Sequence, residues 1–206
     1  TMTFPLSITK EEIAQLPLIK FEGPIQVIND HKAMFQAIKK LSSQDIIGFD
    51  TEKKPTFKKG QYHPTALIQL STATEVFLFR INKIGLHDDL IALFESDRIA
   101  KIGVGMRDDF IELQQIQPFT QQNCIDLNDL MPTLGVEKIG VRNLVGILLE
   151  KRVSKNQQVS NWENTVLTQG QQQYAATDAW VCYEMYVLLL EKGDIGNYKV
   201  NDKVLK

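Results

Sequence analysis

Four carboxylates in this chain sit where carboxylates are unusual. Asp50 and Glu52 close the apolar run Ile46-Ile47-Gly48-Phe49. Asp109, beside Asp108, follows Gly103-Val104-Gly105. Asp178 lies four residues after Tyr174 in a stretch otherwise rich in Ala, Val, Met and Leu. If Ile46–Asp50 is a strand, alternation puts Asp50 and Glu52 on one face and turns Thr51 to the other. Two carboxylates on one face repel each other unless a cation lies between them. The i, i+4 spacing of Tyr174 and Asp178 sets a phenol and a carboxylate on one side of a helix. An aspartate among apolar helical residues opposes both propensity and burial unless it finds a partner. Dispersed in sequence, yet each at an element end or on an apolar face, such ligands point to a divalent-metal site gathered by the fold, and with it metal-assisted phosphoryl chemistry.

Each group also has an ordinary explanation. Strand-end carboxylates are common in water, and a helix dipole alone favours acids in a first turn. Spacing by itself does not separate Asp108 from Asp109.

The elements that must position these groups follow from periodicity and turn signals. Ser7 or Thr9 with Glu11-Glu12 marks a short helix that Pro17 ends. Ile25–Ile28 reads as a brief strand, and Asn29 or Asp30 caps a helix carrying Ala33, Phe35, Ala37-Ile38 and Leu41. After the strand Ile46–Asp50 and the loop Lys53–Pro64, the runs Ala66–Ser71 and Val76–Ile81 form a hairpin. Leu90–Phe94 belongs to a helix, Ala100–Val104 to a strand, Asp109–Ile116 to a helix ended by Pro118, and Cys124–Leu127 to a short strand. From Leu130 to about Lys192 the chain is expected to be largely helical, with Val153–Asn164 as a polar loop. An early hairpin followed by helix–strand alternation breaks a doubly wound pattern. It predicts an α/β fold of the ribonuclease H-like kind, a mixed five-stranded sheet with helices on both faces.

Bulk properties agree with one large domain. The chain has 206 residues, 43% hydrophobic and 23% charged, with a net charge of −2. That balance excludes a global basic field, so any nucleic-acid contact must be local. Cys124 and Cys182 stand apart with no CxxC or Cys/His spacing, which excludes a zinc-finger or disulfide framework and predicts reduced thiols. No apolar run is long enough to span a bilayer and no secretory signal opens the sequence, so a cytoplasmic location with no membrane partner is expected.

Three motifs occur in order: Gly48-Phe49-Asp50-Thr51-Glu52, Gly103-Val104-Gly105-Met106-Arg107-Asp108-Asp109, and Tyr174-Ala175-Ala176-Thr177-Asp178. Two further stretches, Ala66-Leu67-Ile68-Gln69-Leu70 and Ser160-Asn161-Trp162, accompany them. On these motifs the chain resembles the DEDDy 3′–5′ exonucleases of the ribonuclease D and Werner-type branches over roughly Ile25 to Glu191. The resemblance implies a catalytic domain over 25–192, an N-terminal extension over 1–24 and a tail over 193–206. It implies two Mg²⁺ or Mn²⁺ ions held by Asp50, Glu52, Asp109 and Asp178, with Asp50 bridging and Asp109 acting through water. It further implies Tyr174 orienting the attacking water, and a nucleic-acid substrate, DNA or RNA, presented as a single strand or a 3′ end.

Lys53, Lys54, Lys58 and Lys59 crowd the loop after the first carboxylate pair and are candidates to grip phosphates. Phe57 and Tyr62 in the same loop are candidates to stack on a base. A solvated lysine loop and aromatic packing over the sheet are the plain alternatives. Lys151, Arg152 and Lys155 are expected near the nucleic-acid path or simply at a helix end, Trp162 as a packing anchor, and His63, lacking a partner, as structural. A catalytically silent nucleic-acid-binding module, or another ribonuclease H-like nuclease, is the competing function. All four acids and the tyrosine are present, which favours the enzyme.

Overall fold

A computed structural model describes residues 2–196, so the tail expected over 193–206 lies outside the described residues from 197 onward. In chain order the elements are α1 (Lys10–Ala14), β1 (Ile25–Ile28), α2 (His31–Ser42), β2 (Ile46–Lys53), β3 (Thr65–Ser71), β4 (Val76–Phe79) and α3 (Ile81–Ile84). They continue with α4 (Asp88–Glu95), β5 (Ala100–Gly103), α5 (Met106–Ile116), β6 (Cys124–Asp126), α6 (Leu127–Thr133), α7 (Val141–Leu149) and α8 (Gln169–Glu191). Thr9 and Asp30 cap α1 and α2 through their side chains, as their types predict.

The sheet is mixed, in the order β1-β4-β3-β2-β5-β6. β2, β3 and β4 form an antiparallel meander, while β1 joins β4, β5 joins β2 and β6 joins β5 in parallel. All six segments read as strands are incorporated, so the sheet is one strand wider than the expected five. The added edge is β1, whose four residues pair with Val76–Phe79.

The period-2 pattern of β2 decides which side of the sheet receives what. Ile47 and Phe49 point into a core shared with α2, α4 and α5, where the Phe49 ring stacks on Phe110 at 5.0 Å and meets Phe94 edge-on at 5.7 Å. Gly48, Asp50 and Glu52 point the other way, toward α8. This helix lies across β1 to β5, and its capping box at Thr168 and Gln171 fixes where it begins. Helices thus cover both faces, as expected.

Two segments depart from the sequence reading. The strand expected over Val76–Ile81 stops at Phe79, and Ile81 opens α3. The irregular chain between α7 and α8 spans 150–168, wider than the polar loop expected over Val153–Asn164. Its backbone carbonyls are taken by a side chain: Arg80, almost fully buried, donates to Thr165 O at 2.9 Å, to Trp162 O at 3.5 Å and to Asn164 O. A guanidinium that satisfies three carbonyls removes the need for a helical ladder there. Among the described residues, no helix is long and apolar enough to cross a membrane. Cys124 and Cys182 are both free thiols.

Candidate active site

Gly48 brings two backbones together. A Cβ built there would lie 2.1 Å from Ala179 O and 3.2 Å from Tyr183 N, so only glycine lets α8 rest directly on β2. Asp178, the residue before Ala179, is thereby carried over the end of β2. Carboxylate oxygens of Asp50, Glu52 and Asp178 come within 4.8 Å of one another.

Asp109 approaches from the opposite face. Its Oδ1 accepts a hydrogen bond from Thr51 Oγ1 at 2.8 Å, using the side chain that alternation turns away from Asp50 and Glu52. It is half-buried while Asp108 is exposed, so of the adjacent pair only Asp109 faces the sheet. Asp126 sets this geometry. Its carboxylate accepts from the N–H groups of Gly105 at 2.9 Å and Met106 at 2.8 Å, holding the left-handed turn at Gly105 (φ +74°) that starts α5. Asp126 went unremarked in the sequence, where its position at a strand end and two residues before Asn128 was the available signal.

The cluster is electrostatically unfavourable on its own. Burial raises the Asp50 carboxyl well above the usual range, and Asp178 and Asp109 push it further. Glu52 is raised by burial and then by Asp50, Asp178 and Asp109. Burial lifts Asp178 to about 7 against the opposing pull of Arg142, and lifts Asp109 to about 7 against the Thr51 hydrogen bond. A compact set of desolvated carboxylate oxygens with mutual repulsion and no thiolate or imidazole among them fits a hard divalent cation of the Mg²⁺ or Mn²⁺ class.

Two side chains hold this arrangement in place. Gln69, fully buried on β3 and paired in register with Asp50, places its Nε2 3.5 Å from Asp50 Oδ2 and 3.4 Å from Ala175 O. It therefore ties the carboxylate of β2 to the backbone of α8. Nothing in its sequence position distinguished it from the apolar residues around it. Gln69→Leu is expected to keep the fold and lower metal affinity roughly 10–100-fold, the usual effect of losing an outer-shell partner; calorimetric Mn²⁺ titration checks this. Tyr174 lies one helical turn before Asp178, with its ring 6.0 Å from that of Trp162, which is fully buried and acts as an anchor. Burial, followed by Asp178, Glu52 and Asp50, raises the phenol above its ordinary range, so it keeps its proton at neutral pH.

A cleft of about 920 Å³ opens onto Asp50, Glu52, Tyr174 and Asp178. Its basic lining is Lys10, Arg142, Arg152 and Lys155. Of the basic trio singled out in the sequence, Arg152 and Lys155 line the cleft and Lys151 does not, whereas Lys10 and Arg142 were missed. The lysine-rich loop is not part of this lining. Lys53 pairs with Glu112, and Phe57 and Tyr62 stand 79% and 58% exposed. Lys54, Lys58 and Lys59 likewise lie outside the cleft lining. Residues 56–62 of this loop are exposed. His63 is structural, its Nδ1 3.5 Å from Glu163 Oε2 and so linking the loop to the segment before α8.

Residues 25–194 match a family described as 3′–5′ exonuclease. The mouse bifunctional 3′–5′ exonuclease/ATP-dependent helicase WRN is 31% identical over 189 residues, covering 87% of this chain and 14% of that protein. A 3′–5′ exonuclease of Arabidopsis thaliana is 29% identical over 208 residues, covering 93% of this chain and 71% of that protein. The chain thus corresponds to a small part of the mouse relative and most of the plant one. The Nibbler EXO domain of Aedes aegypti superposes with a TM-score of 0.74 at 24% identity, covering 82% of this chain and 88% of that one. Escherichia coli RNase D superposes with a TM-score of 0.71 at 22% identity, covering 82% and 46%. The fold is accordingly the ribonuclease H-like one of these nucleases.

Proposed function

Because the chain belongs to the 3′–5′ exonuclease family, we propose that it hydrolyses nucleic-acid phosphodiester bonds from the 3′ end and releases nucleoside 5′-monophosphates. The observation that carries this reading is the convergence of Asp50, Glu52 and Asp178 within 4.8 Å at the floor of an open cleft. Asp50, Glu52 and Asp178 would hold one Mg²⁺ or Mn²⁺, and Asp50 and Asp109 would serve a second. Such a pair, when bound, lowers the pKa of the attacking water and stabilises the charge on the leaving 3′ oxygen.

The chain's own groups do the positioning. Tyr174 retains its proton and so orients the attacking water through a hydrogen bond without acting as its base. Gln69 keeps the Asp50 carboxylate aimed into the cleft. Arg142, close enough to influence both Asp178 and Tyr174, supplies positive charge beside the scissile phosphate. Phe57 and Tyr62, exposed on the loop that follows β2, offer stacking surfaces outside the cleft for DNA or RNA, and the neighbouring lysines offer phosphate contacts.

Tyr174→Phe preserves the packing against Trp162 and removes only the hydroxyl. Turnover is expected to fall roughly 100-fold, at the lower end of positioned proton-handling groups, with Mn²⁺ affinity unchanged. A wild-type rate would remove Tyr174 from the mechanism. The activity itself is tested with 5′-labelled single-stranded DNA and RNA in Mg²⁺, Mn²⁺ or EDTA. The expected result is a metal-dependent ladder that shortens from the 3′ end, with 5′-monophosphates as products. Internal cuts, or loss of the 5′ label first, would exclude this reading.

A further inference from the structure

The N-terminal segment is fastened into the cleft. Ile19 N–H donates to Arg152 O at 2.9 Å and Arg152 N–H donates to Pro17 O at 3.0 Å, so residues 17–19 run beside the irregular segment like a short strand. Arg152 Nε also donates to Leu16 O at 3.0 Å. Two residues past this clasp, Phe21 N–H donates to Thr177 Oγ1 at 3.0 Å and Phe21 O accepts from Gln173 Nε2 at 3.3 Å. Gln173 and Thr177 flank Tyr174 and Asp178 on α8. At the other end, α1 packs over α7 at Gly146, where an added Cβ would meet Ile8 at 3.0 Å and Ile13 at 3.3 Å.

This strap faces a cleft whose cations have no acidic partner, although Arg152 is anchored through its Nε to Leu16 O. Among the described residues, none of Lys10, Arg152 and Lys155 forms an ion pair, in contrast to Lys53, which is held by Glu112. They come from α1 and from the segment after α7 and converge on the wall of the cleft that begins at the carboxylates. In a chain of net charge −2, unpaired cations gathered along one groove form a local phosphate-binding surface. The volume, about 920 Å³, lies near the top of the ~300–1,000 Å³ range of ligand pockets and suits a few unpaired nucleotides rather than a double helix.

We infer that residues 10–21 form one wall of the substrate cleft, and that Lys10, Arg152 and Lys155 make a phosphate track for the single-stranded tail on the 5′ side of the scissile bond. The inference rests on the 3′-exonuclease reading for the direction of the strand. It makes the segment before residue 25 part of the working unit rather than an extension of it.

Binding in EDTA tests the track independently of hydrolysis. Fluorescence anisotropy with a labelled single-stranded oligonucleotide would compare wild type, Lys10→Ala, Lys155→Ala and the double variant across a salt series. Each lysine contacting a phosphate contributes a slope of ~0.7 in log K against log salt for single strands. The double variant is therefore expected to be shallower by ~1.4 and weaker by roughly tenfold at low salt. Hydrolysis of the p-nitrophenyl ester of thymidine 5′-monophosphate, which has no upstream phosphates, is followed in wild type as the separate readout of the catalytic centre. An unchanged slope in Lys10→Ala would overturn the strap as a wall, and an unchanged slope in both single variants would overturn the track. If the slopes change but neither substrate is hydrolysed by wild type in Mg²⁺ or Mn²⁺, the catalytic reading fails and the binding track stands.

Discussion

Asp50→Asn is expected to lower turnover by about three orders of magnitude while raising the melting temperature of the metal-free protein above about pH 7. The first effect follows from removing the carboxylate that, on the proposed assignment, both ions would share; three decades correspond to about 4 kcal/mol at 1.36 kcal/mol per decade. The second follows from electrostatics. Burial raises the folded pKa values of Asp50, Glu52 and Asp178, Asp178 to about 7, and acidic neighbours push Asp50 and Glu52 up further. A carboxyl whose pKa is higher in the folded than in the unfolded chain contributes stability that is complete below the unfolded value and lost as pH rises through the folded one. In the metal-free wild type that loss runs for Asp178 from the ordinary aspartate value of 3.8 up to about 7, and for Asp50 and Glu52 upward from their ordinary values. Asparagine cannot ionise and relieves its neighbours. The melting-temperature difference between variant and wild type should therefore be largest above pH 7 and close as pH approaches 4. Thermal scans of EDTA-treated protein across that range check it. A destabilised variant at every pH would show that the cluster is not under repulsion.

Gly48→Val is expected to damage stability and site together. The clash at 2.1 Å is with the backbone oxygen of Ala179, not with a side chain that could rotate away. Either α8 lifts from β2 or β2 bends, and overpacking of this kind costs about 3 kcal/mol or more. Because Asp178 travels with α8, Mn²⁺ affinity should fall at least tenfold even in the fraction that folds. Urea unfolding and calorimetric Mn²⁺ titration give the two numbers. Wild-type values in both would mean that the close approach at Gly48 does not position Asp178.

These two positions also mark how far the sequence could be read. Asp50, Glu52, Tyr174 and Asp178 were legible because each rests on local periodicity, 2 along a strand and 3.6 along a helix, set against an apolar background. Gly48 carried a weaker sign, a glycine inside a strand, but its partner on α8 is remote in sequence. Gln69 looked like one polar residue in a hydrophobic strand. Only its register opposite Asp50 gives it a task. Spacing alone left Asp108 and Asp109 open; the resemblance chose Asp109, and the side of α5 that faces the sheet carries the same residue. The loop before α8 was expected only over Val153–Asn164, because local propensity does not register a buried arginine from α3's N-terminus collecting the carbonyls of residues 162–165. The charge of the cleft was only partly legible for a similar reason, since Arg152 and Lys155 were singled out but Lys10 and Arg142 were not. Four lysines clustered in sequence are conspicuous, whereas Lys10, Arg142, Arg152 and Lys155 become a group only when the strap and α7 are folded against each other.

Metal occupancy and 3′ degradation measured on the same samples test the central claim most directly. Mn²⁺ would be titrated into wild type and Asp178→Asn, following bound metal by calorimetry and shortening of a 5′-labelled strand by gel. The expected result is hydrolysis that rises with occupancy in wild type, with the variant binding weakly and leaving the strand intact. A variant that binds and cleaves like wild type, or a wild type that cleaves equally well in EDTA, would contradict the assignment of Asp50, Glu52 and Asp178 as the metal centre of a 3′–5′ exonuclease.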